Sequence, residues 1–297
     1  MPYRCLGRTG EKVSVVGLGG FHLGKVRDRT EGVRLVHAAL ENGVNFLDNS
    51  WDYHDGESER LMGEALKGGY RDRAFVMTKV DGRTGSSVRS QLEESLRRLA
   101  VDVIDLVQFH EIIRLDDPKR IFEEGAAEEM LAARDEGLLR YIGFTGHKDP
   151  RIHLRMLETA DFNAFVFDAV QMPLNVFDAQ YNSFEKLVLP LLVERDIGVL
   201  GMKPLGSGRI PETGAASATE CLHYAMNLPT STVITGCENM QDLQQALHAA
   251  HTFEPMTDGR LTELLRRTAP YAVRGAHEEY KTTEKHDGTA RNPQWLG

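Results

Sequence analysis

The feature that most constrains this fold is a repeated alternation of short β-rich runs with longer helical patterns. Runs bounded by turn residues predict eight strands, at 15–17, 45–49, 74–79, 103–110, 141–145, 169–173, 198–203 and 232–236. Apolar residues at helical spacing predict helices at 30–42, 58–67, 85–99, 121–135, 150–159, 184–195, 215–227 and 241–251. Because a strand–helix–strand unit makes a parallel pair, the alternation predicts a parallel α/β sheet.

The number and spacing of the units predict how this sheet closes. Several strands recur about every 30 residues, which is the length of a βαβ unit. No Ser/Pro-rich linker or charge block divides the chain, so we expect one domain over residues 1–297. Eight uninterrupted units favour a (β/α)8 TIM barrel. The alternative is a doubly wound sheet, which would bind its ligand where the strand order reverses.

The two ends of the chain predict additions to the barrel. Residues 3–14 contain a turn at 8–11, which predicts an N-terminal β-hairpin before the first barrel strand. Residues from about 255 to 297 are rich in Gly, His and charge and are poorly periodic. We expect this part to form an extra helix and a C-terminal tail over one mouth of the barrel.

Charge and cysteine content exclude several classes of function. The net charge of −9 argues against a nucleic acid or an anionic membrane as the partner. Cys5, Cys221 and Cys237 are too scattered for a disulfide framework, which fits a reducing cytoplasm. The N-terminus lacks the apolar region of a signal peptide, and no apolar run approaches the ~20 residues of a membrane span. We therefore expect a cytoplasmic protein, and its oligomeric state stays open.

Four polar residues stand where a barrel of this kind carries its chemistry. Asp48, Lys79 and His110 end three consecutive predicted strands, and Tyr53 follows in the loop after Asp48. Each alone has a structural explanation, such as a solvated rim lysine or a core histidine. Active sites of TIM barrels lie at the carboxyl ends of the strands, so barrel closure would bring all four together.

These side chains together predict carbonyl reduction. A neighbouring ammonium favours a phenolate, so Lys79, held by Asp48, would lower the pKa of Tyr53 by ~1–3 units. Tyr53 would give a proton to a carbonyl oxygen as hydride reaches the carbon, and His110 would direct the carbonyl. This chemistry needs an external hydride donor and therefore implies a nicotinamide cofactor.

Several segments resemble signature segments of the aldo-keto reductases. They are Leu-Asp-Asn-Ser-Trp-Asp-Tyr at 47–53, Gly-Glu-Ser-Glu at 56–59, Leu-Met-Gly at 61–63, Thr-Lys at 78–79, Asp-Leu-Val-Gln-Phe-His at 105–110, Ile-Gly-Phe-Thr at 142–145, Val-Gln at 170–171 and Lys-Pro-Leu-Gly at 203–206. The resemblance covers about residues 3–250. It implies a (β/α)8 barrel without a Rossmann domain and NAD(P)H-dependent reduction of a small aldehyde or ketone. It also implies Tyr53 as proton donor, Lys79 and Asp48 as its tuning pair, and His110 as the orienting group.

The resemblance also implies where a nicotinamide cofactor would bind. Gln171 would bind the carboxamide, and the loop from Pro204 to Gly208 would follow the pyrophosphate. Thr145-Gly146 stands where the family commonly has Ser-Asn, and His147 is a possible substitute for the missing amide. The expected cofactor-binding residues are Gly19, Thr145, Gln171, Met202, Lys203, Pro204, Leu205, Gly206, Ser207, Gly236, Glu238 and Asp242. Met202 replaces an aromatic residue that often stacks on the ring, and a thioether can also pack there.

Residues near the last strand bear on the choice between NADP and NAD. Gly236, Cys237 and Asp242 stand where many relatives place groups that bind the adenosine 2′-phosphate, and Glu238 is nearby. A carboxylate repels a 2′-phosphate and accepts a hydrogen bond from a free 2′-OH. The family favours NADP, whereas these residues favour NAD, and the sequence leaves the choice open.

Other motifs give weaker signals. The glycine run at 17–20 is not a dinucleotide fingerprint, because His22 occupies the place of its third glycine. Gly19 would instead allow close approach of the cofactor or form a plain turn. We expect Phe21 and Trp51 to shape the substrate pocket, although Trp51 is equally explained as a packing residue. The oxygen-rich segment 52–57 is explained as the loop that carries Tyr53, so we expect no metal.

Two other functions compete with the reductase. A barrel of this family can be a nicotinamide-nucleotide-binding regulatory subunit with little turnover, although all four catalytic positions are filled here. An aldolase using Lys79 as a Schiff-base nucleophile would need a neutral lysine, which Asp48 opposes.

Overall fold

The computed structural model describes residues 1–297 and contains a closed barrel of eight parallel strands. The strands are β1 (Tyr3–Cys5), β2 (Lys12–Ser14), β3 (Val16–Gly19), β4 (Phe46–Asp48), β5 (Phe75–Val80), β6 (Ile104–Phe109), β7 (Leu139–Thr145), β8 (Ala169–Pro173), β9 (Gly198–Met202) and β10 (Thr232–Gly236). Strands β3 to β10 are neighbours in chain order, and β10 pairs with β3 to close the barrel. Strands β1 and β2 form an antiparallel hairpin. The predicted TIM barrel and N-terminal hairpin are therefore confirmed.

Helices follow the barrel strands along the chain. They are α1 (Gly20–Leu23), α2 (Arg29–Glu41), α3 (Glu57–Ala65), α4 (Gly85–Leu99), α5 (Asp117–Glu123), α6 (Ala126–Asp135), α7 (Pro150–Phe162), α8 (Phe184–Leu187), α9 (Leu189–Glu194), α10 (Arg209–Glu212), α11 (Ala218–Asn227), α12 (Met240–His251), α13 (Asp258–Thr268), α14 (Glu279–Thr282) and α15 (Gly288–Arg291). No helix combines the length and the apolar character needed to cross a membrane.

Two predicted helices are each divided in the structure. The pattern at 121–135 is broken between α5 and α6 at Gly125, whose φ of +84° lies in the left-handed region that glycine tolerates. The pattern at 184–195 is broken between α8 and α9, where Pro190 lies in the first turn of the second helix. Proline lacks an N–H, so it fits the start of a helix better than its interior.

Apolar side chains fill the barrel from its amino end and leave the carboxyl end polar. Phe46, Met77 and Leu106 belong to a buried cluster inside the barrel. Leu6 and Val13 of the hairpin belong to the same cluster, so the hairpin closes the amino end. Side chains two residues apart share a strand face. Asp48 and Lys79, two residues after Phe46 and Met77, therefore also point into the barrel, one layer nearer its carboxyl end. The functional residues therefore stand on a packed apolar floor.

The C-terminal tail lies over the carboxyl mouth, as predicted. The backbone N–H of Arg83 donates to the carbonyl of Leu296 at 2.8 Å, and the amide of Gln91 donates to the carbonyl of Trp295 at 2.8 Å. Glu111 accepts the backbone N–H groups of residues 288 and 289, at 2.8 and 2.7 Å. The tail is thus tied to the loops after β5 and β6, at the end where the polar strand termini meet.

Candidate active site

Asp48, Tyr53 and Lys79 form a hydrogen-bonded chain at the carboxyl mouth. Lys79 is 1% exposed, forms an ion pair with Asp48 and donates to the carbonyl of Asn49 at 2.6 Å. Its Nζ also donates to the phenol oxygen of Tyr53 at 3.2 Å. Asp48 and Lys79 meet because β4 and β5 are adjacent parallel strands whose ends lie at one rim. The proximity predicted for these three residues is therefore present.

The direction of the Tyr53 pKa differs from our expectation. We expected Lys79 to lower it, but burial raises the pKa of Tyr53 well above 10, and the charges of Asp48 and Asp52 act in the same direction. The physical reason is that Asp48 neutralises Lys79, so little net positive charge remains to offset the burial of a phenolate. Tyr53 is therefore a protonated acid at neutral pH.

His110 lies beside this chain, with its ring against two carboxylates. Its centroid is 5.8 Å from that of Tyr53, in an edge-to-face arrangement. Its Nδ1 is 3.0 Å from Oδ1 of Asp81 and 3.4 Å from Oδ1 of Asp52. Burial opposes the charged ring, but the Asp52 and Asp81 carboxylates outweigh it and raise the pKa of His110 to about 10. The carboxylates thus favour the charged form of His110 in the folded chain.

Sequence reasoning missed Asp81, although a signal for it existed. Asp81 lies two residues after Lys79, and that spacing places side chains on the same face of an extended strand. Asp52, Asp81 and His110 each place one ligand-type atom within 4.8 Å of the others. We interpret the three as an ion-pair cluster, because Nδ1 of His110 lies within 3.4 Å of an oxygen of each carboxylate.

The oxygen-rich segment at 52–57 does not converge on one point. His54 contacts the carbonyl of Phe21 through Nε2 at 2.7 Å. Glu57 instead forms ion pairs with Arg60 at 2.7 Å and with Arg29 at 3.2 Å. These side chains serve the loop and helix α3.

Two polar side chains near Asp48 have hydrogen-bonding atoms without a partner in the protein. Thr145 and Gln171 are register partners at the ends of β7 and β8. The Gln171 amide donates to Asp48 at 2.7 Å, while its Oε1 is buried without a partner. The hydroxyl of Thr145 forms no hydrogen bond within the protein. A carboxamide supplies both a donor and an acceptor, so this pair fits the amide of a nicotinamide.

The loop after β9 has the form of an anion-binding turn. Lys203, Gly206, Ser207 and Gly208 all have positive φ. The backbone N–H groups of Leu205 and Ser207 make no hydrogen bond within the chain. Lys203 is half-buried and forms no ion pair. Free backbone donors beside an unpaired ammonium are typical of phosphate sites. Met202 and Pro204 are the chain neighbours of Lys203, and the segment predicted to follow the pyrophosphate begins at Pro204.

Two acidic residues, Glu238 and Asp242, follow the last barrel strand. Asp242 lies in the first turn of α12 and accepts the backbone N–H of Glu238 at 3.0 Å. Glu238 in turn forms an ion pair with Lys25 at 2.8 Å. The His22 ring covers Gly236, where an added Cβ would lie 2.0 Å from Nδ1. The first turn of α12 therefore carries a carboxylate, whose negative charge disfavours a phosphate there.

Gly19 lies where the backbone passes close to its neighbours. It pairs with Asp48 on one side and with Gly236 on the other. A Cβ on Gly19 would stand 3.2 Å from the carbonyl oxygen of Thr235. The glycine therefore keeps the rim of the barrel narrow beside Asp48.

Aromatic residues form one side of the mouth. Phe21 is 46% exposed and packs edge-to-face on Tyr53, with 5.3 Å between centroids. Trp51 donates to Glu94 at 2.7 Å and packs edge-to-face on Trp295 of the tail. Phe21 therefore packs against Tyr53, whereas Trp51 contacts the tail.

His147 is also engaged by the tail. Its Nε2 is 3.1 Å from Oδ1 of Asp287, and Lys148 reaches the other oxygen of the same carboxylate at 2.6 Å. In this structure His147 binds the tail through Nε2 rather than completing the Thr145–Gln171 pair.

Comparisons with known proteins agree with this geometry. Residues 15–220 match the model described as the Aldo/keto reductase family. The chain is 30% identical over 228 residues to L-galactose dehydrogenase of Arabidopsis thaliana, covering 71% of this chain and 67% of that protein. It is 26% identical over 285 residues to the uncharacterized oxidoreductase YqkF of Bacillus subtilis, covering 92% of this chain and 86% of that protein.

A solved structure shows the same fold. The aldo-keto reductase AKR11C1 from Bacillus halodurans, in its holo form, matches with a TM-score of 0.78 at 24% identity. The match covers 94% of this chain and 100% of that one. The overall fold of this chain is therefore one seen in a known structure.

Proposed function

The chain belongs to the aldo/keto reductase family, with the oxidoreductase role which that family indicates, and we propose that it reduces an aldehyde or ketone to an alcohol with NAD(P)H. The observation that carries this proposal is the chain from Asp48 through Lys79 to the phenol of Tyr53. A protonated phenol beside a cationic histidine is a donor pair suited to a carbonyl oxygen.

Each side chain has a separate task in the reduction. Tyr53 holds the proton until the carbonyl oxygen gains charge, because burial keeps its pKa high. His110 polarises the same oxygen, and Lys79 donates a hydrogen bond across 3.2 Å to the phenol oxygen that loses the proton. A bound reduced nicotinamide would supply the hydride. One hydride to carbon and one proton to oxygen complete the conversion of the carbonyl to an alcohol.

The residues present fit a nicotinamide cofactor. The orphaned Oε1 of Gln171 and the free hydroxyl of Thr145 would hold the carboxamide. The free N–H groups of Leu205 and Ser207, with Lys203, would bind the pyrophosphate.

We expect NADH to be preferred over NADPH. Asp242 places a carboxylate in the first turn of α12, where it would repel a 2′-phosphate, and the nearby Lys25 is already paired with Glu238. Replacing Asp242→Ala should improve the KM for NADPH relative to NADH by about fivefold, the effect of removing ~1 kcal/mol of repulsion. The measurement is KM for both cofactors in both proteins.

A matched control separates charge from helix stability. Asp258 occupies the first turn of α13, as Asp242 does in α12. Asp258→Ala should leave the KM ratio unchanged. An unchanged ratio in Asp242→Ala would remove Asp242 as a determinant of cofactor choice.

Two observations bear on the substrate class: the exposed ring of Phe21 at the carboxyl mouth and the name of one relative. Phe21 offers an exposed ring beside Tyr53, which suits a carbonyl carried on a partly apolar molecule. The Arabidopsis relative is named as a dehydrogenase of L-galactose. An assay panel should therefore contain aromatic aldehydes, aliphatic aldehydes and sugar aldehydes. The three free thiols fit a reducing compartment, and we propose the cytoplasm.

Removal of the Tyr53 hydroxyl tests the proposed function. Tyr53→Phe should bind the cofactor normally, measured by nicotinamide fluorescence, and lose at least ~100-fold in kcat, the usual contribution of a general acid. Tyr70→Phe is the matched control, because its hydroxyl contacts Glu41 on the surface. Full activity in Tyr53→Phe would overturn the mechanism. Failure of the wild type to bind either cofactor would overturn the function.

A further inference from the structure

The proton positions around His110 follow from the acceptors that surround it. Ionised carboxylates only accept hydrogen bonds. Nδ1 of His110 lies 3.0 Å from one oxygen of Asp81 and 3.4 Å from one of Asp52. A proton must therefore lie on Nδ1 whenever both carboxylates are ionised.

The other ring nitrogen then decides what His110 can do. Nε2 forms no hydrogen bond within the protein, so it is free to meet a ligand. In a neutral ring with Nδ1 protonated, Nε2 is a bare acceptor and repels a carbonyl oxygen. His110 donates to a carbonyl through Nε2 only when the ring carries both protons.

Asp81 depends on this cation for its own charge. It is 0% exposed, and its sole ion pair is with His110. Its Oδ2 has no partner. The guanidinium of Arg83 passes close by, but it binds the backbone carbonyl of Asp81 and the carboxylate of Asp117 instead. Since an unpaired buried carboxylate is costly, the Asp81 charge and the His110 charge require each other.

We propose that Asp81 is a positioning residue that fixes His110 as a doubly protonated imidazolium, with Asp52 as the second counter-ion. This inference rests on the proposed function, because the task of the imidazolium is to donate through Nε2 to a substrate carbonyl. Asp81 touches neither substrate nor cofactor in this scheme, and it acts through His110.

Other charges near the ring come from each loop packed against it. Ser50 places its hydroxyl 3.3 Å from Nδ1 and donates to Asp52 at 2.6 Å. The remaining charged or titratable groups are Tyr53, Lys79, Arg83 and Glu111. Lys79 is compensated by Asp48, Arg83 by Asp117, and Glu111 by tail N–H groups. Asp52 and Asp81 therefore stand as the carboxylates that hold the proton on Nδ1.

The charge state can be read without any turnover. In the full-length protein labelled with ¹⁵N-histidine, the His110 signals are identified as those missing from His110→Gln. Both ring nitrogens should be protonated at pH 8 in the wild type. In Asp81→Asn the ring pKa should fall by at least one unit, because burial still disfavours the cation and Asp52 alone opposes it. A neutral His110 at pH 8 in the wild type would overturn the proposal.

Kinetics give a second and independent reading. Asp81→Asn should reduce kcat by about 10- to 100-fold, the range for one hydrogen bond to a charged group. The alkaline limb of its pH profile should move to lower pH, while the cofactor Kd stays unchanged. Asp52→Asn should also lower the ring pKa and kcat, because Asp52 is the second carboxylate beside Nδ1 and its charge helps to hold the proton there. In a His110→Gln background, Asp81→Asn should not reduce kcat any further. If Asp81 had only a structural role, the second substitution would still reduce kcat.

The outcomes separate this proposal from the proposed function. A wild type that reduces carbonyls while Asp81→Asn keeps the same pH profile would overturn the inference alone. A wild type without turnover but with a charged His110 would overturn the reductase function and leave the charge assignment standing. Loss of activity with a chelator and recovery with added zinc would show a metal in the cluster and overturn the proposal. If Asp81→Asn fails to fold, the wild-type NMR result still decides.

Discussion

The charges of single side chains in the mouth are set by burial as much as by neighbours. Burial raises the pKa of Tyr53 despite the nearby ammonium, because Asp48 cancels that charge locally. The pKa of His110 is also raised, because its two carboxylates outweigh the burial that would otherwise lower it. Two residues a few ångströms apart thus both keep their protons at neutral pH, which suits donation to one oxygen.

Lys203 gives a prediction at the residue scale. Burial lowers its pKa to about 8, with Lys79 acting in the same direction and Glu111 opposing. Lys203 is charged below this pKa, so its attraction for a pyrophosphate should weaken as the pH rises through 8. We expect the cofactor Kd of the wild type to rise by about tenfold between pH 7 and pH 9.5, the effect of one charge-assisted hydrogen bond. The measurement is fluorescence titration at each pH.

Lys203→Arg is the matched variant for this prediction. Arginine stays charged throughout the range, so its Kd should stay flat. The same rise in both proteins would show that another group causes the pH dependence.

The tail becomes ordered through contacts that are distant in the chain. Glu111, at a φ of +46°, directs both carboxylate oxygens to backbone N–H groups at residues 288 and 289. Asp287 joins His147 and Lys148 in the loop after β7, which neighbours the loop that carries Glu111. Such contacts convert a segment with little periodicity into a cover for the site.

The tail contacts give a prediction at the scale of an element. Glu111→Gln replaces one acceptor with an NH2 group that faces a backbone N–H, so one hydrogen bond is lost. We expect hydrogen exchange in residues 287–297 to accelerate by about 10- to 100-fold, with little change in the global melting temperature. Mass spectrometry of the C-terminal peptide measures this.

Glu279→Gln serves as the control for the tail. It removes a surface ion pair with Lys285, and such pairs contribute little. Its exchange should match the wild type. Equal exchange in Glu111→Gln would show that other contacts hold the tail.

One buried histidine makes the stability of the whole molecule sensitive to acid. His153 is fully buried between Phe144 and Phe184. Burial lowers its pKa to about 3. Between about pH 6.5 and 3, His153 binds a proton in the unfolded chain but stays neutral in the native chain. The free energy of unfolding therefore falls as the pH falls.

His153→Leu should remove this part of the acid sensitivity. We expect the wild type to lose up to about 1.4 kcal/mol per pH unit more than the variant in this window. Urea unfolding at a series of pH values measures the two slopes. Leu157→Ala, in the same helix, lowers packing without removing a titrating group and should keep the wild-type slope. Equal slopes for His153→Leu and wild type would contradict the assignment.

The sequence by itself determined the barrel, the hairpin and the positions of Asp48, Lys79 and His110 at strand ends. These depend on local periodicity and on the rule that parallel strands end at one rim, both of which are written in residue spacing. The sequence pattern did not predict the helix break at Gly125, because the spacing of apolar residues does not depend on the backbone φ of one glycine.

Only the tertiary structure decided the charges and the partners. Asp81 meets His110 across a sequence separation of 29 residues, and His147 meets Asp287 across 140. The pKa of Tyr53 depends on how deeply the folded chain buries it and on which charges cancel nearby. Desolvation and charge pairing are properties of the packed whole, so residue spacing cannot specify them.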